Sequence, residues 1–202
     1  MTAYIVGLTG GIATGKTNVT DALRQAGAYV VDADEVSRAL TKDQGIALPL
    51  IRKRFGENVF LEDGKLDRRA LGKLIFADSE KRRQLDQIML PLIMDECKRL
   101  LALSPQPVAF LSAPLLYECG MEKMCREVWC TYVPPDEQVK RVMTRDQADE
   151  TLAKQKIESQ MSAYQKAQMA DHVIYTGFSR QESADKALQL YRELLSRLHI
   201  TL

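Results

Sequence analysis

The sequence predicts an α/β fold organised around a phosphate-binding loop, and three neighbouring features carry that prediction. Residues 10–17, GGIATGKT, match the pattern G-x-x-x-x-G-K-[ST] at every fixed position. A short apolar stretch, residues 4–8, comes just before the loop and is typical of a buried strand. A helical pattern follows it and stops at Gly27. Strand, glycine loop and helix in this order predict a nucleoside triphosphate site; the alternative is a chance glycine turn.

The loop residues have distinct predicted roles. Glycines let successive backbone N–H groups point at one polyphosphate, and the positive end of the following helix faces the same anion. Lys16 adds a full positive charge near the β and γ phosphates, and the hydroxyl of Thr17 can ligate Mg²⁺, which makes Thr17 the predicted metal ligand. The residues predicted to bind the nucleotide here are Gly11, Ile12, Ala13, Thr14, Gly15, Lys16, Thr17 and Asn18.

Composition narrows the class of protein. The chain has 202 residues, 46% hydrophobic and 27% charged, with a formal net charge of +1. That balance offers no electrostatic reason to expect nucleic acid or a membrane surface as the main partner. No apolar run reaches the roughly 18 residues that a membrane-spanning helix needs. Four cysteines without a C-x-x-C pair, and two histidines, favour reduced thiols over a zinc site. We therefore expect a cytoplasmic enzyme.

Two carboxylates follow the second predicted strand. Residues 29–31 include a β-branched valine pair, and Asp32 and Asp34 follow them. If extended geometry continues to residue 34, both side chains emerge on one side, at the strand end where open α/β sheets bind ligands. The alternative is that one of them caps the helix that follows.

Residues 41–103 lack strand signals and are mainly helical. A loop or tight β-turn is predicted at residues 56–67, and Pro91 should kink or interrupt the long helix that begins at Ser79. As an insertion between strands, this region is a candidate for holding an acceptor substrate, although its basic residues would equally form a solvated face. Those residues include Arg52, Lys53, Arg54, Lys65, Arg68, Arg69 and Lys73.

Three further strands are predicted at residues 108–112, 127–133 and 170–175, before an amphipathic terminal helix. The third strand ends at Ser112, where many phosphate-loop proteins place an Asp that holds the Mg²⁺ hydration shell. The Mg²⁺ hydration shell would then be held by Asp32, Asp34 or Glu118, or by water alone.

A polar segment, residues 144–160, follows the fourth strand and its helix. It offers little core and is a candidate for a mobile lid. Arg141 and Arg145 are four residues apart on one helix face, a spacing suited to holding phosphoryl oxygens. The alternative is a pair of surface arginines whose partners are Glu137 and Asp146.

These residues together resemble the bacterial dephospho-coenzyme A kinase family. The matching features are GLTGGI leading into GKT, VDAD at residues 31–34, PLLYE at residues 114–118, the two arginines, Gln160, and the Ala-Asp pair at 170–171. The similarity covers nearly the whole chain in the right order. Residues that depart from the family's usual choices are Leu90, Ser112, Lys156 and Thr176.

The resemblance implies a three-layer phosphate-loop kinase fold with a five-stranded parallel sheet. It implies one domain over residues 1–202, with a helical substrate-binding insertion and a helical lid. The expected core covers about 1–34, 104–140 and 165–202, the insertion about 35–103, and the lid about 141–164.

The resemblance also implies the last step of coenzyme A synthesis, in which ATP with Mg²⁺ phosphorylates the ribose 3′-hydroxyl of dephospho-coenzyme A. Asp34 is then expected to activate that hydroxyl. The expected catalytic residues are Asp34, Lys16 and Arg141, with Arg145 on the nucleotide and Asp32, Asp34, Leu115 and Glu118 on the acceptor. We expect a monomer or weak homo-oligomer. The alternatives are another small-molecule kinase of this architecture, an inactive member, or a nucleotide-operated switch, for which no guanine-reading N-K-x-D motif is present.

Overall fold

The computed structural model describes residues 3–200, so the outermost two residues at each end of the predicted core lie outside the described residues. The bounds of the strands and helices are β1 Tyr4–Gly10, α1 Lys16–Gln25, β2 Tyr29–Asp32, α2 Ala33–Leu40, α3 Leu48–Phe55, α4 Arg68–Ala77, α5 Ser79–Ala102, β3 Val108–Ser112, β4 Glu127–Tyr132, α6 Pro135–Asp146, α7 Glu150–Glu158, α8 Ala163–Met169, β5 His172–Tyr175 and α9 Arg180–Arg197. Several consecutive helices lie between β2 and β3 and again between β4 and β5.

The five strands form one sheet in the order β2-β3-β1-β4-β5. Strand β1 lies at its centre, parallel to β3 on one side and to β4 on the other, and β5 continues parallel to β4. In register, Leu8 of β1 lies beside Ser112 of β3 and Trp129 of β4. Because the strands run in one direction, their carboxyl ends share one edge with the loop that follows β1.

The two faces of β1 are packed differently because side chains alternate along a strand. Val6 and Leu8 face the core that α1 and α9 cover, where Phe110 packs edge-to-face against Trp129 with ring centroids 5.2 Å apart. Gly7 faces the other side. A Cβ at Gly7 would lie 2.8 Å from Leu116 Cδ2, so that face leaves room only for glycine. The α/β class with a five-stranded sheet is confirmed.

The chain divides into two compact units. One runs up to Val31 and resumes at Leu100; the other is Asp32–Arg99 and is almost wholly helical. The second unit contains the predicted tight turn, closed by a bridge between Phe60 and Leu66. Between residues 3 and 200, no helix has both the length and the apolar character needed to cross a membrane.

Three local expectations differ from the structure. Extended geometry stops at Asp32, because its side chain accepts the N–H groups of Asp34 and Glu35, at 2.9 and 3.1 Å, and starts α2. Pro91 does not interrupt α5, which is one helix from Ser79 to Ala102, and a kink at Pro91 stays a prediction. The last strand begins at His172 rather than at residue 170.

Candidate active site

The loop between β1 and α1 adopts a conformation that few residues tolerate. Ala13 has φ 59° and Gly15 has φ 87°, both in the left-handed region. Gly15 is also the N-cap of α1, and Lys16 is its first residue. The first turn of α1 contains no acidic side chain that would occupy the positive end of the helix. The loop therefore has the backbone shape expected of an anion cradle.

The floor of the loop is held by a chain of buried hydroxyls. Thr14 Oγ1 donates to the carbonyl of Gly11 at 2.8 Å and lies 2.8 Å from Thr131 Oγ1. Thr131 Oγ1 in turn donates to the carbonyl of Thr9. A Cβ at Gly10 would overlap the Thr131 hydroxyl, so glycine there is a packing requirement. These contacts attach the loop to β4 as well as to its own strand.

The outer side of the loop is held from two later elements. Gln138 Nε2 on α6 donates to the carbonyl of Ile12 at 2.8 Å. Thr176, directly after β5, donates its hydroxyl to the carbonyl of Thr14 at 2.5 Å. Thr176 and Gln138 are each 3% exposed; the bond from Thr176 is buried and the bond from Gln138 is partly buried. The loop carbonyls thus point outward into hydrogen bonds, which fits a loop whose amides face a ligand.

Lys16 reaches across to the neighbouring strand. Its Nζ donates to Ser112 Oγ at 2.6 Å, at the carboxyl end of β3. Ser112 is fully buried and lies 3.5 Å from Thr20 Oγ1 of α1. The ammonium of Lys16 is therefore located between the ends of β1 and β3. A neutral hydroxyl, rather than a carboxylate, occupies this point of the strand.

The two predicted arginines lie on α6 and have carboxylate partners. Arg141 Nε is 2.9 Å from Glu137 Oε1, and its Nη2 donates to the carbonyl of Thr176 at 2.7 Å. Arg145 Nε is 2.7 Å from Asp146 Oδ1. The pairing given as the alternative is confirmed for both. Arg141 nevertheless contacts the same residue that holds the phosphate loop, whereas Arg145 is exposed.

The polar segment after α6 is tied down by ion pairs. The carboxylate of Asp146 accepts hydrogen bonds from Arg145 and from Lys156. Lys156 Nζ lies 2.6 Å from Asp146 Oδ2. Hydrogen bonds from Arg145, and then from Lys156, hold the pKa of Asp146 well below its ordinary value. Because Arg145 is 53% exposed and Lys156 37%, these contacts are weaker restraints than the buried hydroxyls of the loop.

Glu118 has partners that the sequence did not suggest. Its Oε1 lies 2.8 Å from Lys166 Nζ and accepts the N–H of Met161 at 3.0 Å. Lys166 is fully buried and also donates to the carbonyl of Pro114. Sequence reasoning missed Lys166; its place on the same helix face as buried Ala163 was the available signal. Glu118 thus connects the turn after β3 with the start of α8, and the nearby Leu115 is half-buried.

The two acidic residues predicted after the second strand, Asp32 and Asp34, take different positions. Asp32 is the N-cap of α2, so the capping alternative is confirmed for Asp32. Asp34 lies in the first helical turn and is exposed. The cap fixes the backbone of that turn. The roles of Asp32, Asp34, Leu115 and Glu118 toward an acceptor stay predictions.

Comparisons with known proteins identify the family of this chain. The family model described as dephospho-CoA kinase matches residues 4–181. The chain belongs to the dephospho-CoA kinase family. A dephospho-CoA kinase from Geobacter sulfurreducens is 43% identical over 173 residues, covering 84% of this chain and 88% of the relative.

Solved structures give the same result at the level of fold. A crystal structure from Thermus thermophilus has a TM-score of 0.82 and 30% identity, covering 96% of this chain and 99% of its own. A dephospho-CoA kinase from Campylobacter jejuni has a TM-score of 0.71 and 25% identity, covering 94% and 96% of the two chains. The predicted phosphate-loop kinase fold and the assignment to a kinase family are confirmed.

Proposed function

We propose that this protein transfers the γ-phosphoryl group of ATP to the ribose 3′-hydroxyl of dephospho-coenzyme A. The observation that carries the proposal is the phosphate loop itself, in a chain of the dephospho-CoA kinase family. Its left-handed residues, its outward carbonyl bonds and the position of Lys16 support a triphosphate site at this loop. A hydrolytic switch would need the same loop, but no guanine-reading motif accompanies it.

The donor half of the reaction requires neutralisation of charge more than covalent chemistry. In this proposal backbone amides of the loop face the phosphates, and the ammonium of Lys16 moves from Ser112 Oγ to the γ-phosphate oxygens. Arg141 and Arg145 supply further positive charge, and binding of the triphosphate competes with Glu137 and Asp146 for them. We expect the polar segment 144–160 to close over the site in this exchange.

Mg²⁺ fits the donor site through few protein ligands. Thr17 is exposed in the first turn of α1, beside Lys16, and offers one hydroxyl oxygen. In the described part of the chain, no group of three or more His, Cys, Asp or Glu side chains is arranged to hold a metal. Mg²⁺ commonly keeps its waters and takes oxygens from substrate phosphates, so a single hydroxyl suffices. When bound, the ion supplies positive charge that stabilises the leaving oxygens of the β-phosphate.

In the proposed reaction, Asp34 acts on the hydroxyl group of the acceptor. The 3′-oxygen of the acceptor forms a new bond to the γ-phosphorus while the bond from that phosphorus to the β–γ bridging oxygen breaks. The proton of the hydroxyl passes to the carboxylate of Asp34, which thereby orients and activates the attacking oxygen. Asp32 supports Asp34 by fixing the first turn of α2. Leu115 and Glu118 border the acceptor in this proposal.

We place this reaction in the cytoplasm, where ATP and free Mg²⁺ are available, and expect a monomer or weak homo-oligomer. An acceptor screen tests the proposal: ATP consumption is followed with dephospho-coenzyme A, nucleosides and nucleoside monophosphates over a range of concentrations. Dephospho-coenzyme A should be the one acceptor that saturates at low concentration. Saturation by a nucleoside or nucleotide instead would assign the protein to another small-molecule kinase activity. Binding of ATP without transfer to any acceptor would identify an inactive member.

A further inference from the structure

Lys166 carries a full positive charge in the packed interior of the unit that contains the sheet. It lies on α8 and is 0% exposed. Its ammonium contacts Glu118 Oε1 at 2.8 Å and donates to the carbonyl of Pro114. Taking an ammonium out of water is costly, and one carboxylate compensates for this only where the geometry is good. A methionine of similar length would fill the same space without that cost, so stability alone does not explain a lysine here.

The carbonyl of Pro114 links Lys166 to the strand that leads into the phosphate loop. This oxygen also accepts the hydroxyl of Thr9 at 3.3 Å. Thr9 is fully buried and directly precedes Gly10, the last residue of β1. Pro114 itself lies two residues after the end of β3 at Ser112. One carbonyl therefore accepts donors from α8 and from β1, close to the start of the loop.

The second partner, Glu118, links Lys166 to the chain that returns from α7. Glu118 Oε1 contacts the ammonium of Lys166 and also accepts the N–H of Met161 at 3.0 Å. Met161 lies between the end of α7 and Ser162, the N-cap of α8. Because the charge of Lys166 holds Glu118 in place, the amide of Met161 has a fixed acceptor.

These contacts meet at the turn 114–118, which the proposed function places beside the acceptor. The turn is held from β1 by Thr9 and from α8 by Lys166. Its last residue in turn holds Met161, directly after the polar segment 144–160. The phosphate loop is held by other side chains, which come from β4, α6 and the residue after β5. A change at Lys166 should therefore displace the turn and the polar segment without releasing the loop.

We infer that Lys166 is a positioning residue for phosphoryl transfer, which acts through Glu118 and holds the turn 114–118 against the end of the polar segment. The inference rests on the proposed function, in which Leu115 and Glu118 border the acceptor. Lys166 itself is fully buried, so it acts on the acceptor only through the residues that it holds. A misplacement of about 1 Å, caused far from the chemistry, can cost about 10²-fold in rate.

A double-mutant cycle on the full chain tests whether Lys166 acts through Glu118. Lys166→Met removes the charge with little change in length, Glu118→Gln removes the charge of its partner, and a third variant combines both changes. Lys186→Met, at an exposed lysine of α9, is the matched control and should behave as the wild type. Steady-state kinetics gives kcat and KM for dephospho-coenzyme A, and calorimetry gives the dissociation constant for ATP.

Lys166→Met should lower kcat/KM for dephospho-coenzyme A by about 10- to 100-fold, with a higher KM for this acceptor. The dissociation constant for ATP should stay at the wild-type value. In the Glu118→Gln background, the same change should cost at most about threefold, because the two side chains act as one unit. Equal losses in both backgrounds would overturn the inference. A lower kcat with an unchanged acceptor KM would indicate less folded enzyme and would also overturn it.

Hydrogen exchange tests the same link without any substrate. The amide of Met161 should exchange faster in Lys166→Met than in the wild type, because its acceptor Glu118 is no longer restrained. Glu118→Gln leaves Lys166 in place and gives a second measurement if Lys166→Met does not fold. It should also speed this exchange and raise the acceptor KM. Wild-type exchange of Met161 in either folded variant would overturn the inference.

Failure of this inference is distinguishable from failure of the proposed function. If the wild-type chain phosphorylates dephospho-coenzyme A and Lys166→Met does so with wild-type kcat and KM, only the role of Lys166 is wrong. If the wild-type chain does not phosphorylate dephospho-coenzyme A, the proposed function is wrong and the inference fails with it.

Discussion

The two compact units of this chain hold their candidate site residues in different ways. In the unit with the sheet, the phosphate loop is fixed by hydrogen bonds from Thr131, Gln138 and Thr176, and its glycines have steric reasons. In the helical unit, Asp34 is exposed in a first helical turn, and Gly72 borders a cavity without a steric reason. The phosphate loop is packed by the protein itself, whereas the helical unit leaves an open pocket that Gly72 borders.

This difference bears on where binding energy is used. A loop whose amides are already oriented does not reorganise when the triphosphate arrives, which is the condition for strong electrostatic stabilisation of a transition state. An acceptor region with open space can use contacts with a distant part of the substrate to position the reacting hydroxyl. The predictions below test the packed site first and then the open one.

The largest effect is expected from Lys16→Ala. This change removes the charge that the loop directs toward the γ-phosphate, so both ATP affinity and turnover should fall, with a loss in kcat/KM greater than about 10³-fold. Steady-state kinetics with ATP as the varied substrate measures it. Lys154→Ala, at an exposed lysine of α7 paired with Glu150, is the matched control and should behave as the wild type. Near-native activity of Lys16→Ala would contradict the site described here.

Asp34→Asn tests the acceptor side. The amide keeps the size of the side chain but cannot accept the proton, so turnover should fall by about 10² to 10⁴-fold while ATP still binds. Calorimetry with ATP and single-turnover kinetics separate the two effects. Glu35→Gln changes the next residue of the same helical turn and should retain most activity. If Asp34→Asn turned over at a near-normal rate, the proton acceptor would have to be another group.

Thr176→Val tests the buried hydrogen bond that holds the phosphate loop from the residue after β5. The valine leaves the carbonyl of Thr14 without the buried donor that reaches it from β5, so the free energy of unfolding should decrease by about 1–3 kcal/mol. ATP affinity should weaken with it. Urea unfolding and calorimetry measure both quantities, with Thr144→Val as a control whose exposed hydroxyl bonds within its own helix. An equal loss in the two variants would mean that the contact with the loop has no special role.

The smallest effect is expected from the ion pairs of the polar segment. The lowered pKa of Asp146 means that its charged form stabilises the folded state. This contribution is present above the unfolded pKa of about 3.9 and is lost as the pH falls further through the folded pKa. Asp146→Asn should therefore lower the free energy of unfolding by less than about 1 kcal/mol, because Arg145 is exposed.

The pH dependence of the free energy of unfolding is the control for the prediction on Asp146→Asn. The difference between the wild type and Asp146→Asn, measured by urea unfolding, should be constant from pH 8 to pH 5 and shrink below about pH 4. A difference that grows as the pH falls would show that the carboxylate is not stabilised by its neighbours.

The structural features that could be predicted from the sequence are those that depend on residues close together in the chain. The loop, its strand and its helix are consecutive, so their pattern was sufficient. The residues that hold the loop lie 117, 126 and 162 positions away from it, and no local pattern connects them. Fully buried Lys166 was missed because a lysine is rarely buried, and its place on the helix face of Ala163 was a weak signal.

The prediction that the strand extends to Asp34 was wrong for a local reason. An Asp at the end of a strand can either continue the extended chain or cap the next helix, and at Asp32 the two N–H groups of the first turn favoured the cap. The alternation of a strand consequently did not extend to residue 34. Gly72 shows a different limit, because a glycine in a helical pattern indicates a cavity only after the surrounding helices are known.

The most direct test is the position of the transferred phosphate. The wild-type chain is incubated with ATP, Mg²⁺ and dephospho-coenzyme A, and the product is examined by mass spectrometry and phosphorus NMR. The account predicts one added phosphate, present as a monoester on the ribose 3′-oxygen, and none with Lys16→Ala. Release of inorganic phosphate alone, or a phosphate at another position of the acceptor, would contradict it.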